Sequence, residues 1–173
     1  MGCGFVLKAA HIKTLDNREI PIKPDRFNRD VMFSSKSEEW ATPDHVFKAL
    51  DEEFRFTLDP CATPENAKCD KFFTKADNGL IQDWGGERVF MNPPYGAKVG
   101  RWVRKAVNES LKPGTVVVCL LYSKTGTRWF HNYCSPHGMI WFIKGRLTFG
   151  GAEHPAPYDS MIVIFPKDWK DRL

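Results

Sequence analysis

Asn92, Pro93, Pro94 and Tyr95 stand together in a chain of 173 residues, and their types suit a planar group that carries an amine. Two consecutive prolines fix φ and remove two backbone N–H donors while leaving their carbonyls free to accept. Such a loop is stiff, rich in acceptors and flanked by an aromatic ring. The short apolar run Arg88-Val89-Phe90-Met91 precedes it and reads as a buried strand. The tetrapeptide therefore falls just beyond a strand's carboxyl end, where an α/β sheet handles its ligand. A rigid Pro-Pro turn is the plain structural alternative, and the Asn before it and Tyr after it weigh against that.

The tetrapeptide resembles the catalytic motif of the amino-methyltransferases, which move a methyl group from S-adenosylmethionine to a planar amine. Asp59-Pro60-Cys61-Ala62 lies 33 residues upstream of Asn92, directly after another strand-like run. With it, the chain resembles the small phage-type DNA N-6-adenine methyltransferases over residues 37–165. Larger methyltransferases carry a glycine-rich signature at this second position, and the abbreviated form here is similar to the phage-type subgroup. The resemblance implies a compact, Rossmann-like α/β sheet of the S-adenosylmethionine-dependent kind. It also implies a donor site made from Trp40, Thr42, Pro43, Asp59, Pro60, Cys61, Ala62 and Asp77. Asp59 would lie near the donor's sulfonium, the start of the first helix near its carboxylate, and Asp77 near its adenine amine.

On this reading Asn92 and the Pro93 carbonyl accept the two hydrogens of an adenine amine, and Pro94 stiffens the loop. The amine lies inside the duplex, so the base must be turned out, with Tyr95 as its stacking partner. The same tetrapeptide also serves RNA methyltransferases and protein-glutamine methyltransferases, and both substrates stay open at this point. The stretches Gly145 to Phe149 and Pro157 to Ser160 are similar to the same subgroup.

Charge bears on the substrate. The net charge of +4 is uneven, because residues 37–97 carry −6 and residues 98–128 carry +6. The basic block begins directly after the Asn-Pro-Pro-Tyr loop with Lys98, Arg101, Arg104 and Lys105, and continues to Lys124 and Arg128. A phosphate backbone would be attracted to such a surface and released by salt. Arg146, further on, would meet phosphate or close the base pocket. DNA is the expected partner, and a solvated helix face is the plainer account of the same charges.

The elements that must position these residues follow from periodicity. Thr42-Pro43-Asp44 is a good helix start, with a capping hydroxyl and a proline at the first helical position. Val46, Phe47, Leu50 and Phe54 then share one helical face. Phe54 to Leu58 alternates as a strand, and residues 64–87 are irregular. Ala97 to Leu111 reads as a helix with Val99, Trp102, Val103, Ala106 and Val107 inward. Thr115 to Leu121 is a continuous apolar run, as in a strand buried on both faces. A short helix over Thr125 to Tyr133 and strands over Met139 to Ile143 and Met161 to Phe165 complete a doubly wound α/β sheet.

One domain fits this length, with roughly 70% of the unfolded surface buried. Residues 1–36 lack periodicity and read as a basic, mobile arm ahead of a methyltransferase domain at 37–173. No apolar run approaches the roughly 18 residues of a membrane span. The five cysteines have no framework spacing, which suits a reducing cytoplasm, that of the host cell if the chain is phage-encoded. His131, Cys134 and His137 are spaced by threes and raise a rival reading, a non-catalytic nucleic-acid-binding module with a metal site. Pro136 is expected to break a helix there, and no metal is expected.

Overall fold

The computed structural model describes residues 41–150, 152–166 and 168–169. Its frame is a six-stranded sheet in the order β2-β1-β3-β4-β6-β5. The strands are β1 (Leu58–Asp59), β2 (Lys71–Phe72), β3 (Arg88–Met91), β4 (Val116–Tyr122), β5 (Met139–Phe142) and β6 (Ser160–Phe165). β1, β2, β3 and β4 are mutually parallel, with Arg88 facing Val116 and Met91 facing Cys119. β6 pairs antiparallel with both β4 and β5, so the two late strands make the sheet mixed.

Helix α1 (Asp44–Phe54) covers one face, where Val46, Phe47 and Leu50 pack against Phe90, Val118 and Leu120. Helix α2 (Val99–Ser110) covers the other with the five residues expected inward, all buried against Val117, Cys119 and Leu121. β4 contributes alternate side chains to both clusters and is buried along its whole length. That is the burial its unbroken apolar sequence requires. Gly114 follows α2 at φ +68, a conformation open to glycine without strain.

Three expectations need correction. The alternation from Phe54 to Leu58 is not one strand. Phe54 ends α1, Arg55 turns left-handed at φ 49 with its N–H bonded to the Asp51 carbonyl, and only Leu58–Asp59 pair in the sheet. The spacing of apolar residues there reflects burial in two different clusters rather than extended backbone.

The second correction concerns the start of α1. Pro43 is itself the N-cap residue, and no side chain caps the helix. The Thr42 hydroxyl is turned elsewhere.

Third, Pro136 does not break the helix after β4. A π-helical turn over Phe130–Cys134 runs directly into a short helix, α3 (Ser135–His137). A π turn shifts the hydrogen-bond register, which accommodates a residue without an N–H.

Candidate active site

β1 and β3 are neighbours and point the same way, so Asp59 and Asn92 emerge at adjacent strand ends. A cavity of about 220 Å³ opens there. Asp59, Pro60, Cys61, Ala62 and Thr42 line it on the expected donor side, and Asn92 and Pro94 on the catalytic side. Trp40 lies outside the described residues, as does the arm at 1–36. Pro43 is half-buried and Pro93 is buried, and neither lines the cavity.

Asp59 is covered almost completely, at 5% exposure. Burial pushes its carboxyl up from 3.8 to about 6, against the backbone N–H groups of Cys61 and Lys68 and the Lys68 charge. Those two N–H groups each donate to it at 3.3 Å. A buried carboxylate held by amides alone is suited to a cationic neighbour.

The Asn92 carboxamide is held at both ends. Its Nδ2 donates to Thr42 Oγ1 at 3.0 Å, and its Oδ1 accepts from the Tyr95 hydroxyl at 3.0 Å. The same hydroxyl lies 3.2 Å from the Leu120 carbonyl. Burial raises the Tyr95 phenol well above its ordinary value, so it stays a proton donor at neutral pH. The Tyr95 ring stacks on Tyr122 with centroids 3.8 Å apart and planes 18° from parallel. Tyr122 thus backs one face of the ring from within the sheet.

The remaining expected residues divide. Asp77 does not line the cavity, because its carboxylate is taken up by the Thr74 N–H and hydroxyl at 2.8 and 2.6 Å. Its neighbours Asn78, Gly79 and Leu80 line the wall instead. Asn66, Lys68, Thr74 and Trp102 were not foreseen in the wall. The first three sit in the aperiodic loop region, and Trp102 reads in the sequence as a core residue, which it also is.

Among the basic residues, Lys98 lines the cavity. Lys124 lies after β4 with its ammonium 4.0 Å from the Tyr158 ring centroid. Arg128 and Arg146 are exposed and follow β4 and β5. Arg101 and Arg104 are exposed on α2. Lys105 is drawn inward to Glu109 and the Gln82 carbonyl, both at 2.7 Å.

His131 and His137 are exposed while Cys134 is fully buried in the core. Among the described residues no group of three or more His, Cys, Asp or Glu side chains could hold a metal ion. No helix among them is long and apolar enough to cross a membrane.

A carboxamide held at both ends and a buried carboxylate thus stand side by side at strand ends of a mixed α/β sheet. The sequence profile of the family described as DNA N-6-adenine-methyltransferase (Dam) matches residues 31–172. The chain is 38% identical over 135 residues to the DNA N-6-adenine-methyltransferase of Haemophilus phage HP1 (strain HP1c1), spanning 73% of this chain and 77% of that protein. It is 32% identical over 111 residues to the DNA N-6-adenine-methyltransferase of Escherichia phage T1, spanning 63% of this chain and 46% of that protein. The chain belongs to the DNA N-6-adenine-methyltransferase family, whose enzymes methylate adenine in DNA. Membership decides among the substrates that the tetrapeptide leaves open.

Proposed function

We propose that the cavity between Asp59 and Asn92 takes S-adenosylmethionine, and that a methyl group passes there to the N6 amine of an adenine turned out of DNA at a specific site. One observation carries this reading: a buried carboxylate and a fixed carboxamide face a single cavity of about 220 Å³. S-adenosylmethionine, when bound, supplies a methyl group made electrophilic by its sulfonium.

Asp59 meets the cationic end of the donor, and its burial strengthens that attraction. Pro60, Cys61 and Ala62 shape the wall beside it, Thr42 and Pro43 bound the carboxylate end, and Asn78 and Gly79 bound the far side. Asn92 Oδ1 and the Pro93 carbonyl accept the two hydrogens of the amine. This draws the nitrogen lone pair out of conjugation with the ring and aims it at the methyl carbon. The new nitrogen–carbon bond forms as the sulfur–carbon bond breaks, and the amine then loses a proton to solvent. Acceptors fixed in advance stabilise the positive charge as it develops on nitrogen. The Tyr95 face not covered by Tyr122 stacks the extruded base.

Lys98 lines the cavity, Lys124 and Arg128 follow β4 and Arg146 follows β5, and we assign all four to the DNA phosphates. Arg104 lies more than a turn down α2. The host-cell cytoplasm is where this substrate would be met.

The test uses labelled donor with unmodified DNA and RNA, followed by digestion to nucleosides. N-6-methyladenosine in RNA alone would overturn the assignment. Asn92→Ala is expected to abolish turnover while donor affinity measured by calorimetry stays within about threefold, since losing one neutral hydrogen bond costs the donor little. Equal loss of both would make the loop merely structural.

A further inference from the structure

We infer that Thr42 is a positioning residue for methyl transfer, holding the Asn92 carboxamide in its productive place from fifty residues away. The inference rests on the reading of Asn92 as acceptor of the substrate amine. Two independent features carry it.

The first is geometric. Thr42 is nearly fully buried, at 4% exposure, and its hydroxyl accepts from Asn92 Nδ2 at 3.0 Å. The other end of the carboxamide is tied to Tyr95, whose single phenolic proton lies between Asn92 Oδ1 and the Leu120 carbonyl. That second tie is divided between two acceptors, so the Thr42 bond fixes the plane of the amide on the cavity side. Thr42 also lines the cavity, which puts the wall of the donor site and the catalytic amide on one hydroxyl.

The second feature is a local rule set aside. A threonine followed by Pro43-Asp44 is the sequence expected to cap a helix, and a side-chain cap ordinarily stabilises a helix. Here α1 has no side-chain cap, and the available hydroxyl serves Asn92 instead. Departures of this kind from locally favourable choices concentrate at functional sites. The segment has little freedom to drift, because the Gly150 N–H donates to the Ala41 carbonyl at 2.8 Å. The hydroxyl is therefore presented from a fixed backbone.

Displacing a reacting group by about an ångström costs on the order of a hundredfold in rate. Thr42→Val keeps the shape of the wall and removes the acceptor. Its kcat on duplex DNA is expected to fall by about ten- to a hundredfold, more than any weakening of the donor dissociation constant, with melting temperature near wild type. Thr42→Ser, which restores the hydroxyl, should recover most of kcat. Thr42→Ala serves as a second deletion should the valine fail to pack. An unchanged kcat in both deletions overturns the inference. So does a serine variant as slow as valine, or a loss confined to donor affinity. Asn92→Ala measured alongside separates the two levels. Turnover retained there overturns the role of Asn92 itself, whereas an inactive Asn92→Ala with a fully active Thr42→Val overturns only the positioning role.

Discussion

Asp59 holds its proton more tightly in the fold than in the unfolded chain, because burial lifts its carboxyl from 3.8 to about 6. The neutral carboxyl therefore contributes stability that is complete below about pH 4 and is lost as pH rises through about 6. Thermal melts across that window should show wild type losing stability as pH rises, with Asp59→Asn lacking this component. A slope of equal size in both proteins would place the titration elsewhere. Donor binding has the opposite sign, because a cationic ligand favours the carboxylate and expels the proton. Affinity for S-adenosylmethionine should tighten as pH rises from about 5 to 7 in wild type and change little in Asp59→Asn, as read by calorimetry. That Asp59 and Asn92 stand at one cavity was legible from residue type, because each sits next to a proline at a strand end, whereas Tyr95 does not line that cavity. The partner of Asn92 was not legible, because a hydrogen bond across fifty residues leaves no local pattern.

The elements were legible in proportion to their periodicity. α2 repeats its apolar residues at helical spacing and β4 is apolar throughout, so both ran close to their expected bounds. The segment between β1 and β3 has no period, and apart from the pairing of β2 its order comes from single contacts. Gly79 illustrates this, since a Cβ there would stand 2.0 Å from the Pro60 carbonyl oxygen. The Trp84 indole N–H also donates to the Gly79 carbonyl at 3.0 Å. The nearest contact at this point of the cavity wall is thus backbone on backbone, which cannot yield as a side chain can. Gly79→Ala is expected to destabilise the fold by about 1–3 kcal/mol, the usual cost of overpacking, and to weaken donor binding. Chemical denaturation gives the first quantity and calorimetry the second, and wild-type values in both would show that the wall can move. In the stretch Asp77-Asn78-Gly79-Leu80 the Asp77 carboxylate is bonded by Thr74, and the three residues after it line the cavity.

Across the whole molecule, the fold separates the basic residues by the element that carries them. Lys98, Lys124, Arg128 and Arg146 lie in the segments that follow strands, whereas Arg104 stands on α2 and Lys105 is spent on Glu109. The sequence showed a block of charge without showing this division, because charge counted along a chain does not reveal which element carries each residue. DNA affinity measured against salt should separate them. Arg128→Gln and Arg146→Gln are each expected to reduce the slope of log affinity against log salt by about 1, and Arg104→Gln to leave it unchanged. Equal slopes in all three would mean that DNA lies along α2. The place of β6 carries a consequence of another kind. It lies between β4 and β5 although it follows both in the chain. On the ribosome β5 therefore emerges with no neighbour to join, and one edge of β4 waits open until Ser160–Phe165 arrive. Tyr122, which stacks on the Tyr95 ring, pairs with Ser160 itself. Chains that stop ahead of that strand hold every residue lining the cavity and still lack the strand that joins β4 to β5.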